Sequence, residues 1–577
     1  MKKALIMLFL GAMLVLVGCT TTTKATTTQA TTTTTQSTTQ STTQATTTTT
    51  KSTKDETVNI MDDFDLTNVN YKKPTQVFKL HSTISDHLIF QQKKEIRVFG
   101  QAEEGTVILV KLVKDSNHSE NYKGYTVVDE TGCWEINLPA LEASYESYTL
   151  VVSDTENEVK VVDILIGEVW LAGGQSNMGV RVREMDQGGI AMAEAQEDYI
   201  RIFYQNEAGG GDAYPYTPAY DVKGGNWKVA NTGDNISECS GVAYGFVYEL
   251  FYSFVSEGKE VPVAIMNTQK GGSSIHSWLP REVVVGTKPI YDYVVTKKGF
   301  CPDESYWNQN GAQNYNQISA LYNSRIAPLF NFNIAGVLWY QGENDPMYDP
   351  TIYSIRALVD SWSKGFNRND EKLNFCLVQV HPYDGTDPFL GPSEKNYTSF
   401  GYAEHRLAQL NVAMDEEYKD NVTLIPIYDV SLLWDVPKTQ FQWKSVVHPV
   451  VKRPIGERAG KAAWSKYYVG DNKYVAPIYS SHTYTDNTIT IKFENVGHGL
   501  KTFKNSELGV TTVEVVLING SRVTVNCKVI SKDEILITGV QTNVVEYISY
   551  SNFIRNEESN LSSSYGVPAL PFKIQFK

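Results

Sequence analysis

Residues 167–178 read GEVWLAGGQSNM. An apolar run, Val169-Trp170-Leu171-Ala172, ends at two glycines, and Ser176 follows between Gln175 and Asn177. This is how a buried strand stops in a tight turn that presents a side chain at the carboxyl edge of a sheet. Glycines allow the sharp turn and a close approach to a ligand. An amide beside the serine can then face a developing oxyanion. The spacing is not the G-x-S-x-G elbow, because Met178 stands where the last glycine would be. Two readings stay open at this level: a nucleophile, or a plain polar turn.

The surrounding text supplies a frame for that turn. Over 165–474, apolar strands (166–172, 262–267, 335–340, 374–380, 422–428) alternate with helical stretches (242–256, 353–366, 401–414). The alternation predicts an α/β domain, a parallel sheet covered by helices with ligands at the strands' carboxyl ends. Residues 75–164 read as short alternating strands split by Gly and Asp turns, a small β-sandwich. From 475 to 577 the strand pattern returns as a second β region. A chain of 577 residues suits about three domains.

The first residues belong to none of these. Lys2 and Lys3 precede an apolar run from Ala4 to Val17, which predicts a secretory signal over 1–19. Its end, Leu16-Val17-Gly18-Cys19, resembles the bacterial lipobox, which implies a lipidated Cys19 and a chain anchored to the membrane at the bacterial cell surface. Residues 20–53 are nearly all Thr with Gln, Ser, Ala and Lys, and bury nothing, so 20–74 is expected to be a disordered tether. The 34 or so residues of the Thr-rich part reach about 110 Å when extended. The five remaining cysteines (133, 239, 301, 376, 527) lack metal-ligand or disulfide-framework spacing. A net charge of −14 without a basic stripe argues against nucleic acid as a partner. Thirty-four Tyr and ten Trp suit sugar rings and β-sandwich cores alike.

Several segments carry a resemblance. GEVWLAGGQSNM is similar to the first signature block of the SGNH-type esterases, in particular the sialate O-acetylesterase family. SDHLIFQQKKEIRVFGQAEEG (85–105), NTQKGGSSIHSW (267–278), LYNSRIAPL (321–329), GVLWYQGEND (336–345), HPVVKRPIGERAGKAA (448–463) and YGVPALPF (565–572) fit the same family in order. The resemblance runs from about residue 75 to the C-terminus. It implies an SGNH-hydrolase-like sheet flanked by β regions, a carbohydrate acetyl ester as substrate, and no cofactor or metal.

It also implies roles. Ser176 is the nucleophile, and a serine hydroxyl needs a base. Of nine histidines, His448 matches the family's catalytic one, in a loop before a helix beginning near Pro454. The family's D-x-x-H carboxylate is absent, because Ser445 stands there. Asp435, or failing it Asp429, is the expected replacement; otherwise Ser176 and His448 act as a dyad. Gln341 and the backbone N–H groups of Ser176 and Gly241 are the expected oxyanion donors. Gln175, Asn177, Gly272, Trp278 and Glu343 are expected near substrate. Glu343 also reads as a loop-supporting residue or an alternative partner for His448. Arg181 and Arg183 are candidates for pairing with an acidic sugar. The alternatives are an acetylxylan or hemicellulose esterase on the same scaffold, and a glycan-binding lipoprotein whose catalysis has lapsed.

Overall fold

The computed structural model describes residues 60–206, 213–345, 349–367, 371–382, 401–430, 448–504, 506–552 and 558–576. Cys19, Asp435, Ser445 and the Thr-rich stretch lie outside the described residues.

The central sheet contains β1 (Glu158–Gly174), β2 (Glu197–Gln205), β3 (Gly225–Ala230), β4 (Val263–Asn267), β5 (Gly336–Tyr340), β6 (Asn374–Val378) and β7 (Val422–Ile425). Their order across the sheet is β3-β2-β4-β1-β5-β6-β7. All neighbours are parallel except β3, which runs antiparallel to β2. Residues 164–174 of β1 are buried on both faces, as a central strand between helix layers requires. Helices α1 (Gly241–Ser256), α2 (Asp349–Phe366), α3 (Tyr402–Met414) and α4 (Arg453–Ala463) cover the sheet.

Register brings the expected site segments to one edge. Asn267 pairs with Ala172, and Tyr340 pairs with Gly174. The turns after β1, β4 and β5 therefore leave the sheet side by side. Gly174 has φ +136°, and a Cβ there would lie 2.1 Å from the Tyr340 carbonyl oxygen. Only glycine lets the serine turn leave so close to β5.

Two helices fix the other half of the site. A Cβ on Gly456 of α4 would lie 2.0 Å from the Val242 carbonyl oxygen of α1, and one on Gly245 would lie 2.5 Å from the Arg453 carbonyl oxygen. The two backbones touch, and this contact holds the segment that leads from His448 into α4. Gly456→Ala is expected to destabilise the fold by about 1–3 kcal/mol in a denaturant titration, because the clash is with backbone and outweighs the better helix propensity of alanine.

The flanking β regions differ from expectation in two ways. β1 is one strand of 17 residues. Its first half pairs with Ser144–Ser153 and with Ile89–Gln91 of the N-terminal region, and its second half pairs with β4 and β5. The boundary expected at 164/165 falls inside it, and the sandwich strands share an eleven-stranded sheet with the α/β domain. The buried carboxyl of Glu168 ties the same joint, accepting from Gln91, Gln92 and Tyr468. The boundary expected at 74/75 also moves toward the N-terminus. From Ile60 the chain packs on the sandwich, with Ile60 buried against Val107 and Leu109, and Lys111 bonded to Asp63. Ile60, Phe64 and Leu66 supply the apolar surface that the Thr-rich text lacks.

Among the described residues the C-terminal region forms two four-stranded antiparallel sheets and a two-stranded one. It is fastened to the turn after β7 by the buried Tyr428 hydroxyl, 2.8 Å from the Ala569 carbonyl and 3.2 Å from the Tyr550 hydroxyl.

Candidate active site

Ser176 opens a one-turn helix, Ser176–Gly179, immediately beyond β1. At such a start the serine's own N–H has no acceptor within the helix. The side chain lines a cavity of about 440 Å³ together with Gly271, Gln269, Asn267, Arg181, Arg325 and His448. Ser176 and His448 are 272 positions apart in sequence (448 − 176), yet they border one cavity at the carboxyl edge of the sheet. Gly271 flanks the serine: a Cβ built there would lie 3.7 Å from Ser176 Cβ. Its missing side chain leaves room for a reacting group.

His448 precedes the α4 segment, which the Val450 carbonyl holds to the serine side by accepting from Asp186 N–H at 2.9 Å. Burial pushes its imidazole down to about 4, and the Lys452 charge and His381 add to this while Glu343 opposes it. The ring is therefore neutral across mildly acidic and neutral solution, the state a general base needs.

Behind the cavity lies a buried polar cluster. Asn177 Nδ2 donates to Glu343 Oε1 at 2.5 Å and lies 3.3 Å from His381 Nδ1. Lys452 Nζ donates to Asn177 Oδ1 at 2.7 Å. His381 Nδ1 lies 3.6 Å from Glu343 Oε1. Burial works to raise the Glu343 carboxyl, but His381 and Asn177 outweigh it and hold it below the usual carboxylate range. Glu343 is thus an ionised carboxylate within electrostatic reach of His448.

The structure reassigns several expected residues. Gln341 is buried, and its Nε2 donates to Asp345 Oδ2 at 2.6 Å and to the Ser273 carbonyl at 3.2 Å. Both amide hydrogens are committed, so the side chain braces its own loop instead of facing an oxyanion. The Gly241 N–H donates to the Val180 carbonyl at 2.8 Å, which removes it as an oxyanion donor as well. That glycine serves close packing, since a Cβ would lie 2.5 Å from Met185 Sδ. Gln175 accepts from the Asn344 N–H at 3.2 Å and Gly342 N–H at 3.4 Å, and so clamps the β5 turn. Asn177 is fully buried at the serine turn and does not line the cavity. Trp278 is fully buried, edge-on to Trp339, with Nε1 donating to Ser273 Oγ, so it offers no face to a sugar. Gly272 is exposed at φ +70° beside Tyr315, and its carbonyl accepts from Asn316 and Asn344.

The charges divide in the same way. Arg181 pairs with Glu184 at 3.0 Å and Glu238 at 2.6 Å, and Arg183 also pairs with Glu238. Asp429 is held by both terminal nitrogens of Arg458, at 2.7 and 2.6 Å, so it turns toward α4 and not toward His448. Sequence reading missed Lys452, His381 and Arg325. His381 carried a usable signal, since it lies three residues beyond the end of β6 at the sheet's carboxyl edge. Lys452, four residues after His448, and Arg325, in the stretch before β5, carried none on their own. Among the described residues no group of three or more His, Cys, Asp or Glu side chains is arranged to hold a metal ion.

Comparison with known proteins agrees with this geometry. Residues 166–387 match the family described as carbohydrate esterase, sialic acid-specific acetylesterase. Rat sialate O-acetylesterase is 23% identical over 334 residues, covering 53% of this chain and 60% of the rat protein. The human sialate O-acetylesterase is 23% identical over 315 residues, covering 52% and 57%. The chain therefore spans about three-fifths of the length of these curated relatives. A crystal structure of a carbohydrate acetylesterase from Xanthomonas citri superposes with a TM-score of 0.69 at 25% identity, covering 86% of this chain and all of that one. The stretch that carries Ser176 is thus similar to the sialic acid-specific acetylesterase family of carbohydrate esterases.

Proposed function

We propose that this protein removes acetyl groups from O-acetylated sugars, with sialic acids as the preferred class. The observation that carries the reading is the meeting of Ser176 and His448 in one cavity. Ser176 Oγ attacks the acetyl carbonyl carbon while His448 takes its proton. The tetrahedral oxyanion is stabilised by the Ser176 N–H, with the acyl group accommodated beside Gly271. Collapse breaks the ester bond, and the sugar hydroxyl leaves with the proton returned by His448. Water, deprotonated by the same imidazole, then attacks acetyl-Ser176 and releases acetate. Glu343 is the carboxylate best supported to stabilise the imidazolium that forms in each half-reaction. Asp435 is the competing choice. No step needs a cofactor.

Arg325 supports an anionic substrate. It lines the cavity, and its Nη1 is steadied by Gln205 Oε1 at 3.0 Å and by the Thr268 carbonyl at 3.3 Å. Both of these acceptors are neutral and fix the guanidinium at the cavity wall. Arg325→Gln is expected to raise KM for 9-O-acetylated sialic acid about tenfold, the loss of one charge-assisted hydrogen bond, with KM for a neutral aryl acetate nearly unchanged. Equal losses on both substrates would assign Arg325 to structure. The names of the relatives point to the same substrate class. The signal-like segment ending at Cys19 supports a lipid-anchored protein outside the cytoplasm.

The deciding experiment measures acetate release from 9-O-acetylated sialic acid and from acetylated xylan side by side. Preference for the first fits the proposal. Preference for xylan would move the substrate class to plant cell-wall glycans. No release from either, nor from an aryl acetate, would leave a binding protein.

A further inference from the structure

Lys452 stands four residues after the candidate base, acts on it electrostatically, and is fully buried. Its Nζ hydrogen-bonds Asn177 Oδ1 and lies 5.5 Å from the centre of the Tyr340 ring. Asn177 reaches Glu343 with its other end. An ammonium only donates and an ionised carboxylate only accepts, so these two partners permit one orientation of the amide. A buried cation on the α4 side and a buried anion on the β5 turn thereby grip the residue next to Ser176. Resting on the esterase reading above, we propose that Lys452 is a positioning residue. Its ammonium locks Asn177 against Glu343, and its charge keeps the His448 imidazole unprotonated in mildly acidic solution.

The charges around His448 support this assignment. Lys452, Glu343 and His381 act on it electrostatically from three segments. Across the cavity lie Arg181, Glu184, Glu238 and Arg325. These two arginines and two glutamates balance, so this side contributes little net charge. Among the three near groups Lys452 opposes protonation of His448 most, and Glu343 favours it. Burial pushes Lys452 itself down to about 7, with Glu343 opposing, so its charge is present below neutrality, where a base must resist protonation. Removing the cation leaves the pull of Glu343 on the imidazole. The His448 midpoint then rises, and the acid limb of kcat/KM rises with it, because a protonated imidazole cannot accept the serine proton.

The test is the pH profile of aryl acetate hydrolysis by wild type, Lys452→Met and Lys452→Arg. It is paired with an NMR titration of the His448 ring, assigned by its loss in His448→Gln. Lys452→Met is expected to move the acid limb and the ring midpoint up by about one pH unit or more. Lys452→Arg, which keeps the charge, is expected to stay near wild type. A uniform fall in kcat with an unmoved profile and midpoint would overturn the proposal, since that is what a merely structural lysine gives. The titration needs no turnover, so an inactive wild type would sink the esterase reading while the ring midpoint still decides the role of Lys452. If Lys452→Met does not fold, Glu343→Gln carries the test in the opposite direction. Removing the anion must lower the His448 midpoint, and an unchanged or raised midpoint rejects the electrostatic account.

Discussion

Ser176→Ala is expected to lower kcat for a small aryl acetate by about 10⁴- to 10⁶-fold, the range seen when the nucleophile of a serine hydrolase is removed. At about 1.4 kcal/mol per factor of ten, that is roughly 6–8 kcal/mol of transition-state stabilisation. The fold should not change measurably, because the hydroxyl borders a cavity and is not among the buried polar groups. Its loss should shift unfolding by less than about 0.5 kcal/mol. The double variant Ser176→Ala, His448→Ala should be no slower than the single one, since a base without a nucleophile has no proton to take. Single-turnover kinetics with urea unfolding of each variant checks both statements. A Ser176→Ala enzyme with a tenth of the wild-type rate would end the nucleophile assignment.

Glu343→Gln should lower kcat by about 10²- to 10⁴-fold with a much smaller change in KM, the signature of support given mainly to the charged imidazole in the transition state. Glutamine preserves the volume and one acceptor for Asn177 Nδ2, so the turn should hold while the charge is lost. Asp435→Asn is the control, with less than about a tenfold change expected if Glu343 fills the role. Steady-state kinetics on the two variants separates the carboxylates. A large loss in Asp435→Asn with a small one in Glu343→Gln would make Asp435 the third member. The question arises because Ser445, and not a carboxylate, stands three residues before His448.

The sequence carried the sheet well, and the site unevenly. β1, β4, β5, β6 and β7 were legible as apolar runs of strand length, and α1, α2 and α3 as helical text between them. β2 and β3 were missed. EDYIRIFYQ and GNWKVA are mixed in polarity because they lie at one side of the sheet, where part of each strand stays open to solvent. Position at a strand's end correctly brought the Ser176, Gly271 and Gln341 segments to one edge. It said nothing about whether a given N–H already had an acceptor. That is why Gln341 and Gly241 read as oxyanion donors while the fold uses both as braces. Trp278 failed for a related reason, because an indole suits a sugar and a core equally, and only packing against Trp339 separates the two. Lys452 was illegible because a lysine near a helix start normally lies in water, and its burial follows from the α1–α4 backbone contact.

The strand that ends at the serine turn begins about 16 residues earlier among the sandwich pairings, so the protein has no joint there to bend or cut. What modular architecture would divide into a binding part and a catalytic part is one continuous hydrogen-bonded beam. Strand pairing couples order along its length, so the two parts are expected to melt in one transition in a calorimetric scan. Trimming the chain at residue 164 would expose a cut strand edge, a template for aggregation, in place of an independent catalytic module.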